Sequence, residues 1–177
     1  SYKFIPQNYI SWIASAGVLY FCSSEFLLQA NHFFLGDIKY MAKWLYKDVS
    51  PDEWDQQHLT KDNLDFSIDS VHLLDEYVSR LMNTEIGQKH LKDHPHNFTI
   101  RIGAYLGEVI KSCIDSDYKW YDCLSIQEHT IHLQNYVRVV NEESVLYSKK
   151  LDKVICPIFE VSQYLNGKSN YKMLFDY

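Results

Sequence analysis

The sequence predicts a mainly helical α+β fold, with a small antiparallel β-meander between the third long helix and short C-terminal helices. Over the first two thirds of the 177 residues, apolar side chains recur at three- and four-residue steps, which is typical of amphipathic helices. After Tyr118 they alternate or are β-branched, which is typical of strands. With 46% hydrophobic residues the chain can bury a substantial core. We expect one compact unit, an α+β domain over 61–177 with a helical N-terminal extension over 1–60 packed on it.

The N-terminal extension contains two apolar segments. Residues 10–22 are apolar enough for the core of an export signal but too short to span a bilayer, and only Lys3 precedes them as a cation. We therefore expect a buried helix there, with an export signal as the alternative. Residues 25–47 predict an amphipathic helix, whose apolar positions are Phe26, Ala30, Phe33, Phe34, Ile38, Met41 and Leu45. Pro51 then interrupts the chain and suits the first position of a further helix.

A second long helix is predicted over 62–82. Its inward stripe consists of Leu64, Ile68, Val71, Leu74, Val78 and Leu81. Four carboxylates fall together on the opposite side of the same helical wheel: Asp62, Asp65, Asp69 and Glu76. The helix is therefore expected to be apolar inward and acidic outward.

A connecting loop is predicted over 87–98, which contains Gly, Pro and Asn. The third long helix is predicted over 98–114, and its wide apolar face is typical of a central helix. Gly103 and Gly107 each cost about 1 kcal/mol of helix propensity relative to alanine. We therefore expect another part of the backbone to pack closely against them.

The C-terminal third is predicted to contain strands and then short helices. The predicted strands are 119–121, 130–134 and 136–140. Pro157 is expected to start a short helix that ends at Asn166 and Gly167. A last short helix is expected over about 170–175.

One acidic stretch dominates the charge pattern. Residues 48–76 contain nine carboxylates and one basic residue, Lys61, which sum to −8, whereas the whole chain carries −6. Concentrated charge makes a directional field that attracts basic partners, and aromatic side chains beside it suit a binding hot spot. The predicted partner-binding residues are Asp48, Asp52, Glu53, Trp54, Asp55, Asp62, Asp65, Asp69 and Glu76. The alternative is a solvated helix face with no partner.

A family resemblance rests on the helix with the two glycines. The string Gly-Ala-Tyr-Leu-Gly-Glu-Val-Ile over 103–110, followed by Trp120, resembles a bacterial domain of unknown function. The structural motif consists of Gly103, Tyr105, Gly107, Glu108 and Trp120, and further matching positions are Leu74, Asp75, Tyr77, Pro157, Val161, Asn166 and Gly167. Domains of this kind are similar to immunity proteins encoded beside polymorphic toxins. The resemblance implies a toxin-binding role, without a cofactor or catalytic residue.

Glu108 has two interpretations. It could accept hydrogen bonds from a tyrosine, the Trp120 indole or a backbone end, as a structural residue does. Alternatively, it could be a general base in a cleft. Because no nucleophile or histidine accompanies it in the motif, we favour the structural role and expect no catalytic residue.

The histidines and cysteines do not form recognisable sites. His90, His94 and His96 fall in the predicted loop, whereas His129 and His132 point to opposite faces of a predicted strand, so we expect no metal. The four cysteines, Cys22, Cys113, Cys123 and Cys156, lack metal-site spacing and predict a cytoplasmic protein with buried thiols. The alternative is disulfide bonds, if the chain is exported. Of these, Cys113 and Cys156 are expected in apolar surroundings, where a thiol is inert.

The leading hypothesis is a bacterial immunity-type protein that occludes the surface of a basic toxin. A pI near 5.7 argues against direct nucleic-acid binding, and no membrane partner is expected. The alternatives are a DNA-mimic or adaptor inhibitor that uses the same acidic face, and an enzyme centred on Glu108. Whether the chain forms a homodimer stays open.

Overall fold

The computed structural model describes residues 38–114, 117–122, 126 and 144–177. The chain divides into two units, Ser1–Phe34 and Leu35–Tyr177, and all described residues belong to the second. Three predicted elements lie wholly or partly outside the described residues. They are the buried helix over 10–22, residues 25–37 of the helix over 25–47, and the strands over 130–140. The predicted division near residue 60 stays a prediction.

Helices dominate the described residues and enclose a small sheet, which confirms the predicted α+β class. The helices are α1 (38–47), α2 (Glu53–His58), α3 (Ser70–Asn83), α4 (Glu85–Asp93), α5 (Pro95–Cys113) and α6 (Pro157–Leu165), followed by a 3₁₀ helix (Leu174–Asp176). The strands are β1 (Lys119–Asp122), β2 (Ser144–Ser148) and β3 (Lys153–Ile155), antiparallel in the order β1-β2-β3. The final helix is thus shorter than predicted and is a 3₁₀ turn.

Helix α5 is central, as its wide apolar face predicted. Its residues 102–110 are all buried. A Cβ on Gly103 would lie 2.5 Å from the Cα of Ile158 in α6, and a Cβ on Gly107 would meet the indole ring of Trp120 in β1. The two glycines therefore allow one helix backbone and one large aromatic side chain to approach α5, which confirms the expected close packing.

The predicted helix over 62–82 is wrong in its first part, because α3 begins only at Ser70. Phe66 has a φ of 65°, which a helix does not contain, and its N–H donates to the Tyr105 hydroxyl at 3.0 Å. The same hydroxyl lies 2.6 Å from Ser70 Oγ. The Asp65 carboxylate accepts the N–H of Ser67 at 2.9 Å, which gives the backbone an alternative to the helix.

This later start changes the surface. Asp62, Asp65 and Asp69 precede the helix, so the four aligned carboxylates on one helical face do not exist. Ile68 is 53% exposed instead of buried, whereas Leu64 and the inward positions within α3 are buried as predicted. Side-chain hydrogen bonds from α5 override the helical periodicity of this segment.

The predicted loop over 87–98 is also wrong, because α4 and the first turn of α5 occupy it. The Thr84 side chain accepts the N–H of Gly87 at 3.1 Å and so caps α4. Gly87 faces the backbone of Leu81, and Pro95 lies in the first turn of α5, where its missing N–H is not needed. The expected position of Pro51 is wrong, because Pro51 precedes the N-cap of α2 and lies outside its first turn.

The C-terminal helices follow the sequence signals closely. Helix α6 begins at Pro157 and ends at the C-cap Asn166, and Gly167 has a φ of 67°. The 3₁₀ helix is tied to α3, because the Asp75 carboxylate accepts the N–H groups of Leu174 and Phe175. Burial nevertheless raises the pKa of Asp75.

Candidate functional site

A cleft of about 410 Å³ opens between the helices α1, α3, α4 and α5 and the α1–α2 connection. Its walls include the aromatic side chains of Trp44, Tyr77 and Phe98. Its volume falls within the range of about 300–1,000 Å³ that small-molecule sites occupy. Concave, partly aromatic surfaces of this size bind ligands or protruding side chains of partners, so the cleft is the candidate functional site.

Asp55 of α2 is a buried carboxylate in this cleft. It is 8% exposed, and the Ser50 hydroxyl donates to its Oδ2 at 2.6 Å. Ser50 Oγ in turn accepts the N–H of Asp52 at 3.2 Å, which holds the hydroxyl in place. Within the described part of the chain no lysine, arginine or histidine forms a salt bridge with Asp55. Burial raises the pKa of Asp55.

Tyr77 of α3 brings a second buried polar group to the cleft. It is 6% exposed, and its ring stacks parallel to that of Trp54 with centroids 6.5 Å apart. None of the described residues forms a hydrogen bond with its hydroxyl. Burial raises the pKa of Tyr77. The hydroxyl is therefore available to a molecule that enters the cleft.

Two arginines neutralise two carboxylates near the cleft. Arg101 of α5 lies 2.6 Å from Asp48 and over the Trp44 ring, 5.4 Å from its centroid. Arg80 of α3 lies 3.1 Å from Asp52 and 4.7 Å from the centroid of the Trp54 ring, and its buried Nε has no partner. Asp48 and Asp52 thus already have intramolecular counter-charges.

The remaining predicted partner-binding residues form a looser exposed surface. Glu53 accepts a hydrogen bond from Gln57, and Trp54 is half-buried against His58 and Tyr77. Among the predicted partner-binding residues, the exposed carboxylates without a hydrogen bond or ion pair within the described ranges are Asp62, Asp69 and Glu76. The structure therefore divides the predicted site into a cleft around Asp55 and an exposed surface on the α2–α3 connection and α3.

The predicted histidine cluster is only partly associated with this site. His90 and His94 line the cleft, whereas His96 is exposed. In the described ranges no three histidine, cysteine or acidic side chains converge in a way that could hold a metal ion. His129 and His132 lie outside those ranges.

The residues of the structural motif lie apart from the cleft and hold α5 against the sheet. The Trp120 indole donates to Glu108 Oε1 at 2.8 Å, so one of the three expected hydrogen-bond partners is present. Lys111 Nζ lies 2.7 Å from the same oxygen. Glu108 is 8% exposed, and Tyr105 is fully buried against Phe66. These contacts position helix α5 and the sheet.

The expected apolar environment of Cys113 is wrong, because Cys113 is exposed at the C-terminal end of α5 and its thiol lies 3.8 Å from the Phe66 carbonyl. Cys156 is buried, as expected.

In comparisons with protein families, curated proteins and solved structures, no match to this chain was found. The family resemblance of the glycine motif therefore stays a prediction. No helix in the described ranges is both long and apolar enough to cross a membrane.

Asp55→Asn is expected to stabilise the protein at pH 7. The folded-state pKa of Asp55 is raised above its usual value of 3.8, so the folded protein binds more protons than the unfolded chain between these two values. The free energy of unfolding therefore falls as the pH rises from the unfolded-state pKa to the folded-state pKa. Above the folded-state pKa, the destabilisation by the charged Asp55 carboxylate is fully present. Asparagine removes the charge but can still accept the Ser50 hydrogen bond.

Urea unfolding at several pH values measures this effect. The advantage of Asp55→Asn should shrink towards pH 3, where the carboxyl group is neutral in both states. Asp62→Asn is the matched control at an exposed carboxylate and should change stability by less than about 0.5 kcal/mol. A variant that is less stable than the wild type at pH 7 would show that Asp55 makes a net stabilising interaction as an anion.

Proposed function

We propose that this protein binds a basic protein partner, of the kind a bacterial toxin would be, and neutralises it by occluding its surface. The observation that carries the proposal is the set of exposed carboxylates Asp62, Asp69 and Glu76, none of which forms an ion pair with a described residue. Uncompensated charge of one sign steers a partner of the opposite sign and improves the rate of association.

The buried Glu108 and the partly buried Asp75 have structural roles, which supports binding in preference to catalysis at these two positions. Glu108 shares one oxygen between an indole N–H and a lysine, and Asp75 accepts two backbone N–H groups. Both groups therefore hold elements of the fold together. The surface available to a partner is the exposed connection between α2 and α3, together with the adjacent exposed side of α3.

Reversing two charges on this surface tests the proposal. The partner is sought among the products of neighbouring genes, and its affinity is measured by calorimetry at low and high salt. The double variant Asp62→Lys/Asp69→Lys should weaken binding by at least about tenfold at low salt, which corresponds to about 1.4 kcal/mol. The difference should become smaller at high salt because exposed charges are screened.

A matched control changes the same net charge elsewhere. Glu85→Lys/Asp93→Lys alters two exposed carboxylates of α4 and should change the affinity much less. Equal affinity of the Asp62/Asp69 double variant and the wild type at low salt would refute the acidic surface as the binding site. Circular dichroism and urea unfolding of both double variants show whether the fold is retained.

A further inference from the structure

The cleft contains one carboxylate that its surroundings do not neutralise. Of the acidic residues beside it, Asp48 pairs with Arg101 and Asp52 pairs with Arg80. Asp55 is more buried than either, and its hydrogen bond comes from the neutral Ser50 hydroxyl. A buried carboxylate that lacks a cationic partner is costly to keep ionised, so the cleft favours a ligand that brings a positive charge.

A second observation points to the same position. The Tyr77 hydroxyl belongs to a side chain that is 6% exposed, lines the same cleft as Asp55, and has no hydrogen-bond partner among the described residues. A phenol oxygen can accept a hydrogen bond from an ammonium or guanidinium group. Asp55 and Tyr77 together therefore provide one charged and one neutral acceptor for an entering N–H donor.

The walls of the cleft suit the same kind of group. Trp44, Tyr77 and Phe98 present aromatic rings, and cations bind favourably over such rings. The volume of about 410 Å³ accommodates a long side chain with its aliphatic part. Arg101 already lies over the Trp44 ring, so the aromatic contacts of an entering cation would come from Tyr77 and Phe98.

We infer that the cleft receives a lysine or arginine side chain of the basic partner, with Asp55 as its counter-charge and Tyr77 as a hydrogen-bond acceptor. This inference rests on the proposed function and adds a specific anchor to it. The exposed carboxylates attract the partner, and the cleft holds one of its cationic side chains. The basic side chains that act on Asp55 from the neighbouring helices are Arg80 and His90, and neither forms an ion pair with it.

The first experiment uses a small probe and needs no partner. Propylguanidine is titrated into the full chain, and backbone amide shifts are followed by NMR. We expect saturable shifts at Ser50, Asp55, Tyr77 and His90. The apparent affinity should fall at least fivefold in Asp55→Asn and at least twofold in Tyr77→Phe, whereas Glu85→Gln at an exposed carboxylate of α4 should bind the probe like the wild type. Amide spectra of the variants show that the fold is kept.

Other results would overturn the inference. One such result is an unchanged affinity of Asp55→Asn for propylguanidine. Another is the absence of saturable shifts. A third is that propionate, used in place of propylguanidine, causes saturable shifts of the same residues. The last result would identify an anion site formed by Arg80, His90 and Arg101.

The second experiment separates this inference from the proposed function. If Asp55→Asn binds the protein partner like the wild type while Asp62→Lys/Asp69→Lys loses affinity, the acidic surface is supported and the anchor is refuted. If Asp55→Asn loses at least tenfold while the double charge reversal binds normally, the anchor is supported and the acidic surface is refuted.

Discussion

Gly103→Ala is expected to lower the free energy of unfolding by about 3 kcal/mol. The added Cβ would lie 2.5 Å from the Cα of Ile158 and 2.9 Å from its Cγ1. The closest atom belongs to the backbone of α6, so a rotamer change of Ile158 cannot remove the overlap, and α5 and α6 must move apart. Overpacking of this kind typically costs about 1–3 kcal/mol, and a backbone contact belongs at the upper end.

Urea unfolding of the full chain measures this loss, and Gly167→Asn is the matched control. Gly167 also lies at a helix, at the end of α6, but no atom lies within 4 Å of its hypothetical Cβ and its φ is 67°. Asparagine tolerates this conformation, so the control should lose less than about 1 kcal/mol. Alanine is the better helix former, so without the overlap Gly103→Ala would be at least as stable as the wild type. That result would contradict the close contact between α5 and α6.

Trp120→Ala is expected to destabilise the protein by about 3–5 kcal/mol, the usual cost of truncating a buried tryptophan. Trp120 is 9% exposed and packs against Gly107, which leaves no side chain on α5 to fill the cavity. The indole also donates to Glu108, so its removal leaves a buried carboxylate with Lys111 as its remaining partner. The cavity and the lost hydrogen bond act in the same direction.

Two further variants separate these contributions. Trp120→Phe keeps most of the packing but removes the N–H donor, and it should lose less than half of what Trp120→Ala loses. Glu108→Gln keeps an acceptor for the indole and should lose about 1 kcal/mol, mainly from the ion pair with Lys111. A loss in Trp120→Ala below about 1 kcal/mol would contradict the central position of Trp120 between the sheet and α5.

Some elements of the fold were predictable because their signals are local. Pro157 and Gly167 delimit α6 as expected, since proline lacks an N–H and glycine adopts a positive φ at little cost. The close approach at Gly103 and Gly107 was also predictable, because two glycines in a buried helix require compensation by packing. In contrast, α4 was missed, since Gly87, Pro95 and Asn97 had been taken as signs of a loop. In the structure Thr84 caps this helix and Gly87 packs against the backbone of α3.

The candidate site was predicted only in part. Asp55 was among the expected partner-binding residues, but as an exposed charge, whereas the structure buries it beside Ser50. Tyr77 was named as a position of the resemblance, and its place in the cleft was not predicted, although a tyrosine beside the apolar stripe of a helix is a signal of a buried ring with a polar tip. Arg101 pairs with Asp48, which precedes it by 53 residues, and no local pattern in the sequence indicates this ion pair.

The sequence by itself determined the α+β class, the inward stripe of α3, the central position of α5 and the one-sided charge of residues 48–76. These follow from periodicity and composition, which need no knowledge of distant contacts. Only the tertiary structure decided where α3 begins and which carboxylates are neutralised. Both depend on side chains from other helices. Tyr105 of α5 bonds to Phe66 and Ser70, which sets the start of α3. Arg80 pairs with Asp52 and Arg101 pairs with Asp48, whereas Asp55 has no ion pair among the described residues.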